Sequence, residues 1–440
     1  MPDPALLSRR ELLRIGALSL FGAIGSRSIA AERSAPGSCI FILLQGGPSH
    51  HDLWDPKPDA PAEVRGPFGT LATALPGVRF GELLPRTAAI ADKLVFVRSM
   101  THQFTNHIAG TYITLTGSTN QPDADREARS EDFPGPGAVL NYLQTEPPRV
   151  PVSVSLPNWL SIPGPSNRMP GQYAGFLGST FDPFLVQGDP NQAGFRPLSL
   201  TLPDEVPGGR FQTRTDLLRQ IDVGAQYLEN QATRTRDRLY STAYDLLTDP
   251  RVREALDLSR ENPAVRDRYG RSKIGQSLLL ARRLVEAGVR FVAYNEFNQA
   301  WDHHGDIQGA LKRLVPSMEQ GHSALVEDLH QRGMLDRTLV VNTGEFGRTP
   351  QINGGRGRDH WPSVYTTVLA GGGLPGGQVY GASDAKGAYV ASKPVSPADL
   401  LATVWTSLGI DPRTELHDRS NRPYALCTGQ PLHELMSLGT

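Results

Sequence analysis

The chain has 440 residues, in which 44 Lys and Arg balance 45 Asp and Glu to a formal charge of −1. So even a balance argues against nucleic acid or an acidic membrane as a partner. The length is ample for a large buried core, held in one α/β domain with insertions or split between two.

At the N-terminus, the run Ser8 to Leu13 with its pair Arg9-Arg10, the apolar stretch Ile15 to Ile24 and the small-residue site Ser28-Ile29-Ala30 follow the order of a twin-arginine export signal. Cleavage is expected after about Ala30, giving a signal peptide over 1–30 and a single domain over 31–440. The apolar stretch is shorter than the roughly 20 residues of a membrane span. The mature protein is therefore expected to be periplasmic or secreted, with the twin-arginine translocase as its export partner and no stable membrane span. Residues 1–30 hold four Arg against Asp3 and Glu11, which leaves the rest of the chain at −3.

Cys39 to Leu44 is a near-continuous apolar run of the kind buried on both faces of a parallel sheet, and it ends in Gln45-Gly46-Gly47-Pro48. Strands are also predicted over Lys93 to Arg98 and Val150 to Leu156. Apolar residues at three-to-four spacing predict helices over Arg214 to Tyr240, inside a helical insertion around 205–270, and over Ser272 to Ala287, where Gly288 stops the helix. There follow a strand (Val289 to Tyr294), a helix (Ile307 to Arg332), a strand (Thr338 to Thr343), a glycine-rich loop, a strand (Val364 to Ala370) and a last helix (Pro397 to Leu408). Alternating strands and helices predict a mostly parallel sheet flanked by helices on both faces, with ligands bound at the carboxyl ends of the strands. Gly371 to Gly377 has no Lys-Ser/Thr and no helix directly behind it, so it reads as a hairpin or edge loop and not as a phosphate loop. Cys39 and Cys427 could pair in an oxidising compartment or each be buried alone.

Seven of the eleven histidines lie in four short stretches: His50-His51, His102 with His107, His303-His304, and His360. On the predicted topology most of these follow a strand and sit beside a carboxylate, Asp52, Asp302, Glu345 or Asp359, as a divalent metal site requires. Asp302 and His304, two apart in an extended loop, point the same way. Glu345, one residue past a glycine at a strand end, suits a rigid ligand or base. Arg348, Arg356 and Arg358 either clamp an oxyanion such as phosphate or sulfate or neutralise Glu345 and Asp359 and pin the loop. Met169 to Gly178 reads as a lid or a pocket wall. Trp54, Trp301 and Trp361, next to the histidine motifs, read as aromatic walls or as packing.

Gly46 to Pro58, Thr101 to His107, Gly175 to Gly178, Trp301 to His304, Gly344 to Thr349 and Gly357 to Trp361 resemble the motifs of an exported family catalogued as domain of unknown function fifteen-oh-one. Its fold is similar to that of the sulfatase and alkaline phosphatase superfamily, and the likeness runs from about Gly37 to the C-terminus. The resemblance implies that Asp302 and His304 hold one metal, although the superfamily more often separates this pair by three residues, and that His360 completes the site. Asp359 is counted with this ligand set, and His102, His107 or Asp52 would supply further ligands or acid-base function. Glu345-Phe346 stands where many members have Asp-His for a second metal, and Gln45-Gly46-Gly47 stands where phosphatases and sulfatases have metal-binding aspartates. The stretch His107 to Gly117 is similar to one that begins with the sulfatase nucleophile, a place taken here by His107. Thr105 competes for that role, and hydrolysis by water activated at a metal needs neither.

The reading that results is a metal-dependent hydrolase of phosphate or sulfate esters acting on an anionic small molecule or an exported polysaccharide. Zn or Mn is the expected cofactor. Glu345, His107, Arg348 and Arg358 would be the catalytic residues. Two other readings stand beside it: an anion- or metal-binding protein without turnover, and a structural envelope protein.

Overall fold

Successive side chains of a strand point to opposite faces, and the central strand β1 (Ser38–Leu43) buries both of its faces. Ile40 and Ile42 enter one apolar core, while Cys39, Phe41 and Leu43 enter another. The same division holds for β2 (Leu94–Met100), β5 (Phe291–Asn295), β6 (Thr338–Thr343) and β7 (Tyr365–Ala370), numbered with β3 (Ser153–Leu156), β4 (Phe184–Leu185) and β8 (Gln378–Tyr380) as one eight-stranded sheet. The computed structural model describes residues 37–145, 148, 150–162, 168–197, 249–296 and 298–436. The signal peptide read over 1–30 and the helix read over 214–240 lie outside the described residues. The described end of the 205–270 insertion holds helices Pro250–Leu256 and Pro263–Tyr269.

Strand order is β8-β2-β7-β6-β1-β5-β3-β4. All neighbours pair in parallel except around β7, which runs antiparallel to both β2 and β6. The exception matters for the site, because the amino end of β7 then lies on the same sheet edge as the carboxyl ends of β1, β2, β5 and β6. Helices α1 (His107–Thr116), α2 (Pro136–Leu143) and α5 (Pro397–Ser407) contribute to the core holding Phe41, and α3 (Lys273–Glu286) and α4 (Ile307–Gln331) to the core holding Ile40. Each fully buried aliphatic or Phe side chain contributes roughly 1.5–3 kcal/mol relative to exposure.

The predicted strands all occur, with ends moved by no more than three residues, and the predicted helix ends coincide with caps. The Ser272 side chain accepts from Gly275 N at the start of α3, and Ser396 with Asp399 forms a capping box on α5. Helices α1 and α2 and the edge strands β4 and β8 were not predicted. All ten residues of α1 are buried, so it has no polar face to mark its period. Gly371 to Gly377 carries the chain from β7 past β2 to edge strand β8, with positive φ at Gly371, Gly372, Gly373 and Gly377. Cys39 and Cys427 are both free thiols, so the disulfide left open by the sequence is not formed. Burial pushes the Cys39 thiol far up from its ordinary pKa.

Candidate metal centre

Backbone contact between loops assembles the centre. After β1 the chain turns at Gly46 (φ +114), where a Cβ would lie 2.4 Å from Asp302 N, so only glycine lets the loop after β1 meet the loop after β5. Trp301 N donates to Gln45 O at 3.0 Å across the same junction. Glu345 follows β6, and Gly46 N donates to both of its carboxylate oxygens, at 2.8 and 3.1 Å. The Asn106 side chain caps α1, whose first residue is His107, and Gly110 one turn later leaves room for Glu345 and Phe346. His360 arrives on a two-residue ladder with Arg348, just ahead of antiparallel β7.

Three imidazoles converge on Asp302. His107 Nδ1 donates to Glu345 Oε1 at 2.6 Å, His304 Nδ1 to Asp359 Oδ1 at 2.6 Å, and His360 Nδ1 to the Thr105 carbonyl at 2.7 Å. With each Nδ1 proton committed to an oxygen, each ring in its neutral form faces the centre with an Nε2 lone pair that a proton or a cation can take. His360 Nε2 is in hydrogen-bond geometry with Asp302 Oδ1 at 3.2 Å, His304 Nε2 lies 3.0 Å from the same oxygen, and His107 Nε2 lies 3.3 Å from Asp302 Oδ2. The Nε2 atoms of His304 and His360 are 3.1 Å apart. Two lone pairs at that separation repel unless a proton or a cation lies between them.

The donor set also fits a small cation by geometry. Tetrahedral ligands about 2.0 Å from an ion stand about 3.3 Å from one another, close to the separations just given. Ligand atoms of His107, Asp302 and His360 lie within 4.8 Å of each other. Fixing a ligand histidine through its other nitrogen by a carboxylate or carbonyl is the usual support of such sites. Phe346, fully buried, packs beneath the rings, its centroid 5.0 Å from His107 and 4.6 Å from His360. The His304 side chain is 48% exposed and that of His107 10%, so the centre opens to solvent on the His304 side.

Burial opposes charge on His107, but the carboxylates of Asp302 and Glu345 outweigh it and lift its pKa to about 9. Burial alone would raise the Asp302 pKa. His107, His360 and the Arg348 guanidinium instead hold it well below the usual carboxylate range. Asp359 is lowered first by its hydrogen bond to His304.

The other predicted residues stand around this centre. His102 accepts from Phe104 N on Nδ1 and donates through Nε2 to the Glu345 carbonyl, so both nitrogens are used. Burial lowers its pKa to about 4, leaving it neutral. Asp52 is buried against Ser49 and Arg358, and no contact joins it to the three imidazoles. Arg358, fully buried, donates to Asp52 and to the carbonyls of Val64, Thr349 and Pro350. Arg348, also buried, donates to the carbonyls of Gly46, Gly47 and Arg358 and to Asp302 Oδ1 at 2.7 Å. Of the alternatives left open for the loop arginines, these contacts match the pinning of loops. His50 and His51 are buried and donate Nε2 to the carbonyls of Gly387 and Lys386. Trp54 and Trp301 are core residues, and Trp361 Nε1 donates to Ala388 O. The hydroxyl of Thr105 donates to Asp123. Sequence reasoning missed Asn353, which donates to His304 O and Asp359 Oδ1 at 3.1 and 3.0 Å; the Asn-Gly-Gly turn there was its only local sign.

Fold and site together define a three-layer α/β protein with a histidine and carboxylate cluster at the carboxyl edge of its sheet. Residues 37–436 match the model of the family described as "Protein of unknown function (DUF1501)", and the chain belongs to that family. No curated protein matches it. Solved structures similar to it include Ps i-CgsB in complex with k-i-k-neocarrahexaose, at TM-score 0.40 and 14% identity over 86% of this chain and 73% of that one. The PsFucS1 sulfatase from Pseudoalteromonas sp. is similar at TM-score 0.37 and 13% identity over 93% and 72% of the two chains. The phosphonate monoester hydrolase of Agrobacterium radiobacter is similar at TM-score 0.36 and 11% identity over 92% and 78%.

Proposed function

We propose that this chain is an exported, metal-dependent hydrolase of phosphate or sulfate esters, with His107, Asp302, His304 and His360 holding a divalent cation, Zn or Mn. One observation carries the reading: two imidazoles, each fixed through Nδ1, face Nε2 to Nε2 at 3.1 Å beside a carboxylate. Three nitrogens and one oxygen suit Zn best and Mn next, while Ca would want an all-oxygen shell. A cation bound there would supply Lewis acidity toward an ester oxygen and toward water. The protein's own groups do the rest. Glu345 holds the His107 tautomer, Arg348 keeps Asp302 ionised and in place, Asp359 orients His304, and the open side at His304 admits the ester. Export rests on the order of elements from Ser8 to Ala30.

A second reading, binding without turnover, is favoured by the hydroxyl nearest His107 in the chain. Thr105 Oγ1 donates to Asp123 at 2.8 Å, and both buried arginines spend their donors on the protein itself.

Elemental analysis of the mature protein, purified without chelators, decides first. A divalent metal is expected at a fixed stoichiometry, to be lost in the His304→Ala/His360→Ala double variant; a metal-free wild type would sink the hydrolase reading and leave only an anion-binding form of the second. Aryl phosphates, phosphodiesters and aryl sulfates then separate them, since metal without turnover of any member leaves only the binding protein.

A further inference from the structure

Of the three arginines in the loop after β6, only Arg356 is exposed, and its guanidinium makes no hydrogen bond or ion pair among the described residues. Its backbone lies at φ +61, in the left-handed region that glycine or asparagine adopts at least cost, although Gly354, Gly355 and Gly357 surround it. Residues held in such conformations cluster at functional sites, where the surrounding structure over-determines them.

Here the surroundings are tight. Asn353 Oδ1 accepts from Gly355 N and Gly357 N, both at 3.0 Å, while Asn353 N donates to Gly357 O. Asp306 N and Ile307 N donate to the carbonyls of Gly355 and Arg356, and Arg356 bridges Gly305. A Cβ on Gly357 would meet the His304 carbonyl carbon at 2.1 Å. The loop is thus locked against the backbone of His304, the most exposed member of the centre. An arginine reaches roughly 7 Å from its Cα, enough to serve a ligand held at that open side.

The carboxylates around the centre are already engaged. Asp302 contacts Arg348, Glu345 contacts His107, and Asp359 contacts His304. Asp306 is engaged in capping α4 through Gly309 N. The Arg356 guanidinium is therefore left unengaged beside carboxylates that already have partners among the described residues.

We propose that Arg356 is a specificity residue at the mouth of the centre, and that it contacts a second negatively charged group on a ligand whose first anionic group lies at the histidines. The ligand class is a polyanion, an ester bearing another sulfate, phosphate or carboxylate beside the scissile one. This rests on the proposed function only for the place of the first anionic group. Guanidinium is suited to it because it engages two oxygens of such a group at once.

The test uses ligands that cannot be hydrolysed: benzenesulfonate and benzene-1,3-disulfonate, titrated calorimetrically into metal-replete protein. Wild type is expected to bind the disulfonate at least tenfold more tightly. Arg356→Gln should abolish that preference without changing benzenesulfonate affinity, and Arg356→Lys should keep part of it. Arg356→Gly should also abolish it while raising the melting temperature, since glycine relieves the strained φ, so that loss of preference is not misfolding. Absence of the preference in wild type, or its persistence in Arg356→Gln, would overturn the proposal. A protein that shows the Arg356-dependent preference but hydrolyses no ester keeps this inference and loses the hydrolase reading; one that hydrolyses aryl esters without the preference does the reverse.

Discussion

Replacing Glu345 with glutamine tests how the centre is held together. The carboxylate is fully buried, and its Oε1 takes both the His107 Nδ1 proton at 2.6 Å and Gly46 N at 2.8 Å, while Oε2 lies 3.1 Å from the same Gly46 N. A glutamine whose carbonyl oxygen sits at the Oε1 position keeps both short bonds. Its amide nitrogen then falls at the Oε2 position, a buried donor beside the donor Gly46 N. An unsatisfied buried donor costs about 1–3 kcal/mol, so Glu345→Gln should lower unfolding stability by that amount, read from urea midpoints. The negative charge behind His107 also disappears, and Nε2 becomes a weaker donor. Loss of such a supporting carboxylate lowers metal affinity by roughly 10- to 100-fold, or about 1.4–2.7 kcal/mol. Zinc affinity, measured by competition with a chromogenic chelator, should fall within that range. Asp359→Asn should cost less, because Asp359 is 52% exposed and water can replace it at His304. Wild-type zinc affinity in a folded Glu345→Gln variant would refute the reasoning.

Three further outcomes are expected. Gly46→Ala must place a Cβ 2.4 Å from Asp302 N at φ +114, which costs at least about 2 kcal/mol and displaces Asp302; undiminished metal content in this variant would contradict the assembly described above. Arg358→Lys keeps the charge beside Asp52 but cannot reach the carbonyls of Val64, Thr349 and Pro350 together, so stability should drop by about 2–4 kcal/mol, with an unchanged urea midpoint as the contrary result. His322 is buried in α4 and burial lowers its pKa from 6.5 to about 4. Between those pH values the unfolded chain binds more protons, so stability is full above 6.5 and is lost as pH falls toward 4. His322→Leu should therefore remove about 3 kcal/mol of the acid loss between pH 7 and 4, and urea titrations showing the same loss in both proteins would argue against it.

The sequence by itself determined six of the eight strands of the sheet and the helices α3, α4 and α5. Runs such as Cys39 to Leu44 and Thr338 to Thr343 are apolar on both faces, and Ser272 and Ser396 mark helix starts, because periodicity and capping are local properties. The histidine stretches and the family resemblance together put Asp302, His304 and His360 in one cluster, and the structure brings them together with His107. What only the tertiary structure decided is how they meet. Antiparallel β7 delivers His360 to the edge where β1, β5 and β6 end, and the wholly buried α1, invisible to a polarity pattern, delivers His107. Tertiary contacts also decided that Arg348 reaches the carbonyls of Gly46 and Gly47 and Arg358 that of Val64, about 300 residues away in the chain, while Arg356 makes no such contact among the described residues, and that Asp52 serves Arg358. Most of these contacts are made to backbone carbonyls, which every residue carries, so no choice of residue type along the chain records them.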